Sequence, residues 1–225
     1  KLREQVRAIR SLWKTWQTGE RLNVRGEYFT LTLMTPFFNP GPMAHPDIPI
    51  HIAGVNRGLC RLAGEVADGF VVHPYHSAAY LQEVIKPAIA EGARGAGRSL
   101  EAVSISVTAF IATNEEEQNQ ARAQLSFYAS TPSYRPVMDL HGWGDARQEL
   151  SQRASRQLWA EMTRLINDDM VDEFAISCQW SQVANRIRAK YTGILDRVAL
   201  YLPFDAVNDR ERWGTLSAAF QQGEA

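Results

Sequence analysis

PIHIAG (49–54) and GFVVH (69–73) are two short apolar runs, the first ending in Gly54 and the second bounded by Pro74. Between them Leu59, Leu62, Ala63 and Val66 recur at helical spacing. Strand, helix and strand in such close order form a βαβ unit. Strands this evenly apolar predict a parallel sheet covered on both faces. The alternation continues downstream. The spacing predicts a helix over 77–94, a third strand over 103–112 and a helix over 115–129. Thr113/Asn114 cap that last helix, and Glu115–Glu117 sit at its positive end. A polar, aromatic stretch (130–145) leads into helical pattern across 146–176. A helix over 180–192, a fourth strand from Asp196 to Phe204 and an amphipathic helix over 208–221 follow. Upstream, residues 35–49 carry prolines at 36, 40, 42, 46 and 49 without any period, and 20–34 read as a hairpin turning at Arg25-Gly26. Leu2, Val6, Ile9, Leu12/Trp13 and Trp16 mark an amphipathic helix stopping near Gly19.

With 225 residues, 45 % hydrophobic and 22 % charged, the chain buries a sizeable core, which excludes disorder as its main state. No run reaches the ~18–20 apolar residues of a membrane span. Lys+Arg 24 against Asp+Glu 25 leaves no basic surplus for a phosphate backbone. Neither membrane nor nucleic acid is therefore an expected partner. Cys60 and Cys178 belong to no CxxC or His/Cys cluster, so no metal is expected and the compartment reads as reducing and cytoplasmic. The chain starts on Lys1-Leu2-Arg3, already in helical pattern and without a cap, and reads as N-terminally incomplete. Four strands are too few for a closed barrel, and a (β/α)8 barrel takes ~250 residues. Four are also short for a doubly wound sheet; if the chain is the second half of such a barrel, it is one domain over 1–225, a partial TIM barrel lacking its first strands. The segment 115–178, too long for one crossover, reads as a helical insert over the active-site face.

In parallel α/β folds ligands bind at the carboxyl ends of the strands. At the first end, Gly54 and Gly58 allow close backbone approach, Asn56 can cap the following helix, and Arg57 and Arg61 add charge, a pattern suited to phosphate. The same pattern also suits an ordinary strand–helix turn. At the second end His73 and His76 flank Tyr75, and imidazole and phenol there can hydrogen-bond a ligand or move a proton. Ala112-Thr113-Asn114 and Pro203-Phe204-Asp205 are the other two ends. The proline-rich loop enters a strand at its amino end and belongs to the opposite face. Within the insert Tyr128, Tyr134, Arg135, His141 and Trp143 either line a cavity or pack the insert down. Asp168, Asp169, Asp172 and Glu173 read as a solvated helix face. No GxSxG, P-loop, GxGxxG, HExxH or EF-hand pattern is present.

PIHIAGVN (49–56) followed by RLAGEVADGF (61–70) resembles the bacterial luciferase-like monooxygenase superfamily. WQTGER (16–21), LMTPFFNPGP (33–42), VHP (72–74), FYASTPSYRP (127–136) and LHGW (140–143) resemble, more narrowly, an actinobacterial-type branch described as coenzyme F420-dependent oxidoreductases. The resemblance implies a (β/α)8 barrel using F420, or FMN as the alternative, with hydride transfer between coenzyme and a small organic substrate. The FMN alternative is a monooxygenase using molecular oxygen, and a third reading is a non-catalytic barrel subunit or remnant. Gly54, Val55 and Asn56 match the superfamily's phosphate-side turn, and His73, Pro74 and Tyr75 match the next coenzyme-facing strand end. Tyr134, Arg135 and His141 fall in the region covering the substrate pocket. An F420 user is expected to show a basic groove near Arg57, Arg61 and Arg135, and a homo-oligomer is the expected assembly. The family's first strands have no counterpart in the chain, so no catalytic residue transfers onto it, and the fragment alone is expected to be inactive.

Overall fold

The computed structural model describes residues 1–202, 205 and 207–221. Helix α1 (Leu2–Thr18) ends on Gly19, whose φ of +74° is a left-handed cap that glycine adopts without strain. Strands β1 (Val24–Arg25) and β2 (Thr30–Leu31) form the predicted antiparallel hairpin, but its turn runs over 26–29, with Arg25 paired to Thr30 as a strand residue. Its turn is pinned because Glu27, Tyr28 and Phe29 all donate their N–H groups to the Glu4 carboxylate of α1. The proline-rich run lies along α1, where the Gln17 amide bonds both main-chain groups of Met43.

The main sheet starts with β3 (His51–Gly54), and α2 (Arg57–Val66) carries the chain to β4 (Gly69–Val72). A continuous helix follows, made of α3 (Ala78–Tyr80), a π-helical turn (Leu81–Ile85) and α4 (Lys86–Gly95). It leads to β5 (Ser104–Ala112) and α5 (Glu115–Ser130). Four shorter helices then run in succession: α6 (Arg135–Leu140), α7 (Gly144–Ser155), α8 (Trp159–Met162) and α9 (Asp168–Phe174). After them come β6 (Ala175–Ser177), α10 (Val183–Tyr191), β7 (Arg197–Tyr201) and α11 (Arg210–Gln221). All five strands of this sheet pair in parallel.

Two expectations need correction. Strand β6 lies inside the segment expected to be helical throughout. Ala175, Ile176 and Ser177 continue the apolar stripe of Met170, Val171 and Phe174, and three residues are too few to show a change of period. The sheet is also covered on both faces only at its carboxyl end, where Phe110, Ala112 and Ala175 are buried on the second face; elsewhere one face alone is covered. Ile52, Phe70, Val72, Ile105, Val107 and Ala109 are buried beneath helices. The register rows on the other face carry His51, Ala53, Arg197, Ala199 and Tyr201, all exposed, and the half-buried Ser104, Ser106 and Thr108. The end of the fourth predicted strand, Pro203-Phe204, lies outside the described residues.

The register places β6. Ser106 and Val107 pair with both β4 and β7, so those strands flank β5 on opposite edges. Phe110 pairs with Ala175 and with Tyr201, so β6 lies on the β4 side, just past the point where β4 ends at Val72. The insert thus supplies β5's neighbour where the chain after β4 peels away as residues 73–77.

Helix α2 crosses α4 at a backbone-to-backbone approach. A Cβ on Gly64 would stand 2.1 Å from the Ile89 carbonyl oxygen, and one on Gly92 would stand 1.9 Å from that of Arg61. Only glycine at both positions permits this crossing. Between the helices Cys60 is fully buried, and burial pushes its thiol up to about 12, so it is an inert packing group. Arg98 closes the end of α2, donating to the carbonyls of Gly64 (2.8 Å) and Ala67 (2.7 Å).

Candidate functional site

At the end of β3, the side chains of the three predicted residues serve the fold. A Cβ on Gly54 would lie 2.7 Å from Leu59 Cδ1, so the missing side chain makes room for Leu59. Val55 is buried and its carbonyl accepts the Tyr80 hydroxyl at 3.2 Å. Asn56 caps α2 by accepting the Leu59 N–H at 2.9 Å. Among the described residues the N–H groups of Arg57 and Gly58 make no hydrogen bond, and they are what this turn has to offer a ligand. The arginines are not free: Arg57 lies 3.1 Å and Arg61 3.4 Å from the Glu91 carboxylate of α4.

The end of β4 is built differently. His73 Nδ1 accepts the Tyr75 N–H at 3.1 Å, which leaves the imidazole proton on Nε2, to be donated to Tyr134 Oη at 3.0 Å. Burial lowers the pKa of His73, and the neutral ring suits both bonds. His76 is fully buried: Nδ1–H donates to the His73 carbonyl at 2.9 Å and Nε2 accepts the Tyr191 hydroxyl at 3.0 Å. Desolvation takes it down to about 4. Ser77 Oγ caps the next helix by accepting the Tyr80 N–H and stands 2.8 Å from His141 Nε2. Tyr75 is fully buried, stacked on Phe174 with ring centroids 4.6 Å apart. Burial raises its phenol well above the usual value, and its hydroxyl finds no partner among the described residues.

The helical insert supplies nearly all these partners. Tyr128 of α5 packs edge-on against His73 at 4.7 Å, and His141 stacks on Trp143 at 4.7 Å, with Trp143 in turn against Phe174. Lys190, next to Tyr191, donates to the carbonyls of Asp172, Glu173 and Ala175 where α9 gives way to β6, and desolvation lowers it to about 8. Of the three predicted insert residues, Tyr134 and His141 reach the strand end and Arg135 does not. Arg135 is exposed and bonds Asp139 one turn on, at 2.9 Å. The expected basic groove is therefore absent as free charge, since Arg57, Arg61 and Arg135 each face a carboxylate.

The sequence reading missed the polar role of Tyr191, which looked like one more apolar residue in the stripe of Val183 and Ile187. At the end of β5 the predicted Thr113-Asn114 pair is structural: Asn114 caps α5, and Glu117 accepts Thr113 and Arg212. Asp168 pairs with Arg122. Among the described residues no three His, Cys, Asp or Glu side chains are grouped to hold a metal, and no helix is long and apolar enough to cross a membrane.

The model of one protein family, luciferase-like monooxygenase, matches residues 1–197. An uncharacterized protein of Mycobacterium tuberculosis is 38 % identical over 204 residues, 88 % of this chain and 60 % of its own length. An F420-dependent glucose-6-phosphate dehydrogenase of Nakamurella multipartita is 28 % identical over 78 % of this chain and 44 % of its own. Among solved structures, the coenzyme F420 dependent tetrahydromethanopterin reductase of Methanopyrus kandleri superposes with a TM-score of 0.69 at 18 % identity. That match covers 97 % of this chain and 62 % of the reductase, and it shows the fold. The five-stranded sheet is thus part of a TIM barrel of that type, and the chain spans about 60 % or less of the length of these relatives.

Proposed function

The chain belongs to the luciferase-like monooxygenase family, and from that premise we propose that it is part of a coenzyme F420-dependent oxidoreductase acting on a small organic substrate. The observation that carries this reading is the sequence likeness to an F420-dependent dehydrogenase over most of the chain. Bound F420 supplies a ring carbon that gives or takes a hydride, and the protein's part is to hold and orient it and to keep water out. The residues present fit such a group. The Arg57 and Gly58 N–H groups at the start of α2 would hold an anionic part of its tail, in a turn where a Cβ on Gly58 would meet only Asn56 Oδ1 at 3.4 Å. His73, Pro74 and Tyr75 would border the coenzyme, Tyr75 through its main chain, since its ring and hydroxyl are fully buried. The exposed Leu33, just before the proline-rich loop, and Phe37 and Phe38 within it support a homo-oligomer as the assembly.

The family's description as luciferase-like monooxygenase leaves room for a second reading, an FMN-dependent monooxygenase using molecular oxygen. Parallel titrations of the full-length protein with F420 and FMN, followed by cofactor fluorescence, separate the two. Saturable F420 binding with FMN inert is the expected result. Binding of FMN alone moves the assignment to the monooxygenase, and binding of neither leaves a non-catalytic barrel subunit.

A further inference from the structure

Residues 73–77 are gripped from one side. Their partners are Tyr134 on His73, Phe174 on Tyr75, Tyr191 on His76 and His141 on Ser77, all contributed from beyond β5. Two of these four contacts, His73–Tyr134 at 3.0 Å and Ser77–His141 at 2.8 Å, join the loop to the short stretch 134–141 around α6. Each also secures a backbone bond within the β4–α3 connection. The His73 ring that donates to Tyr134 accepts the Tyr75 N–H, and the Ser77 hydroxyl that meets His141 accepts the Tyr80 N–H. The two side chains are held in turn. The Tyr134 ring packs at 4.6 Å on His73 and 5.7 Å from Tyr128, and His141 lies between the Trp143 face and Ser77.

We propose that Tyr134 and His141 form a two-point clasp that fixes the shape of the 73–77 loop. They are positioning residues: they touch the loop, and through it they set how well the β4 end receives the coenzyme, which rests on the F420 reading above. Residues 134–141 lie far along the chain from β4, so the clasp couples the fit of the insert to the shape of the coenzyme-facing loop. A two-point hold fixes orientation where one point leaves a pivot, and partly buried bonds of this kind order a loop more than they stabilise a fold.

The test uses the full-length protein as Tyr134→Phe, His141→Ala, the double variant and His141→Gln, whose amide can still bond Ser77. Two quantities are read: amide exchange at Tyr75 and Tyr80, and the F420 dissociation constant. In the double variant exchange at both amides should rise tenfold or more while β3–β5 stay protected. F420 affinity should fall about tenfold, and His141→Gln should recover most of what His141→Ala loses. Unchanged exchange overturns the clasp. Raised exchange with unchanged F420 affinity overturns the positioning role. A wild type that fails to bind F420 overturns the coenzyme reading alone, and exchange still decides the clasp.

Discussion

The two strand ends that face a ligand in folds of this kind are made on opposite plans. At the end of β3 the nearby side chains serve the turn itself: Leu59 fills the space at Gly54 and Asn56 caps its own helix, while Tyr80, 25 residues on, bonds the Val55 carbonyl. What remains for a ligand is backbone. At the end of β4 four side chains within residues 73–77 are held by groups more than fifty residues away. A turn that offers only N–H groups recognises negative charge and little else. A loop walled by imidazoles and phenols can discriminate shape. On the proposed reading, the β3 end would take the charged part of the coenzyme and the β4 end its shaped part.

The sharpest way to break one end without touching the other is Gly92→Ala. The new methyl would stand 1.9 Å from the Arg61 carbonyl oxygen, against backbone that cannot rotate away. Helix α2 must then shift, and a loss of about 3 kcal/mol is expected in chemical denaturation. Exchange protection should fall first at α2 and not at 73–77. Equal loss at both ends would show that the two are one cooperative unit.

The β4 end should answer to acid. His76 goes from the ordinary value of 6.5 to about 4 on burial. The unfolded chain therefore takes up a proton below about 6.5 that the folded one refuses until about 4. Its contribution is present above that window and is lost as pH falls through it, by about 3 kcal/mol in all. His73, also lowered by burial, acts in the same direction. Denaturation midpoints between pH 7 and pH 4 measure the slope, and His76→Gln should flatten most of it. A slope that survives this substitution would place the acid sensitivity elsewhere.

How much of this could be read in the sequence follows the same contrast. The β3 turn was legible because its rules are local: Gly54 ends a strand, Asn56 caps a helix, and both lie within a few residues of what they act on. The neighbouring strands and helices were legible for the same reason. The β4 end was legible as a cluster but not as a network. Tyr134 and Arg135 are adjacent and equally polar, yet one bonds His73 and the other turns out to Asp139. Nothing local distinguishes them, because packing 61 residues away decides it. The same applies to Arg57 and Arg61, whose charge met Glu91 only once α2 and α4 crossed. Strand β6 escaped because pairing with β5, and not its own period, makes it a strand.

A smaller effect sharpens the local plan. Asn56→Ala removes the α2 cap and should cost about 1 kcal/mol. Asn56→Asp keeps the acceptor and should hold stability while weakening polyanion binding through its charge. If both variants bind inorganic pyrophosphate as wild type does, the start of α2 is not an anion site.

Glu91→Gln should leave thermal stability unchanged within measurement, because exposed ion pairs contribute little. Its effect should fall on charge. The hydrogen bond from Arg57, with the field of Arg61 and Arg94, holds the Glu91 carboxyl below its usual range. It is therefore ionised throughout neutral pH and masks both arginines. Removing that charge leaves Arg57 and Arg61 unopposed beside the two unbonded N–H groups of α2. Pyrophosphate or F420 should then bind several-fold more tightly at low ionic strength. The gain should fade as salt shortens the screening length to about 8 Å. The β4 end, with no part in this charge balance, should show the same exchange at Tyr75 in variant and wild type. If affinity does not rise, the missing basic groove is no masked site, and the charged part of any coenzyme must be held by residues other than those at the start of α2.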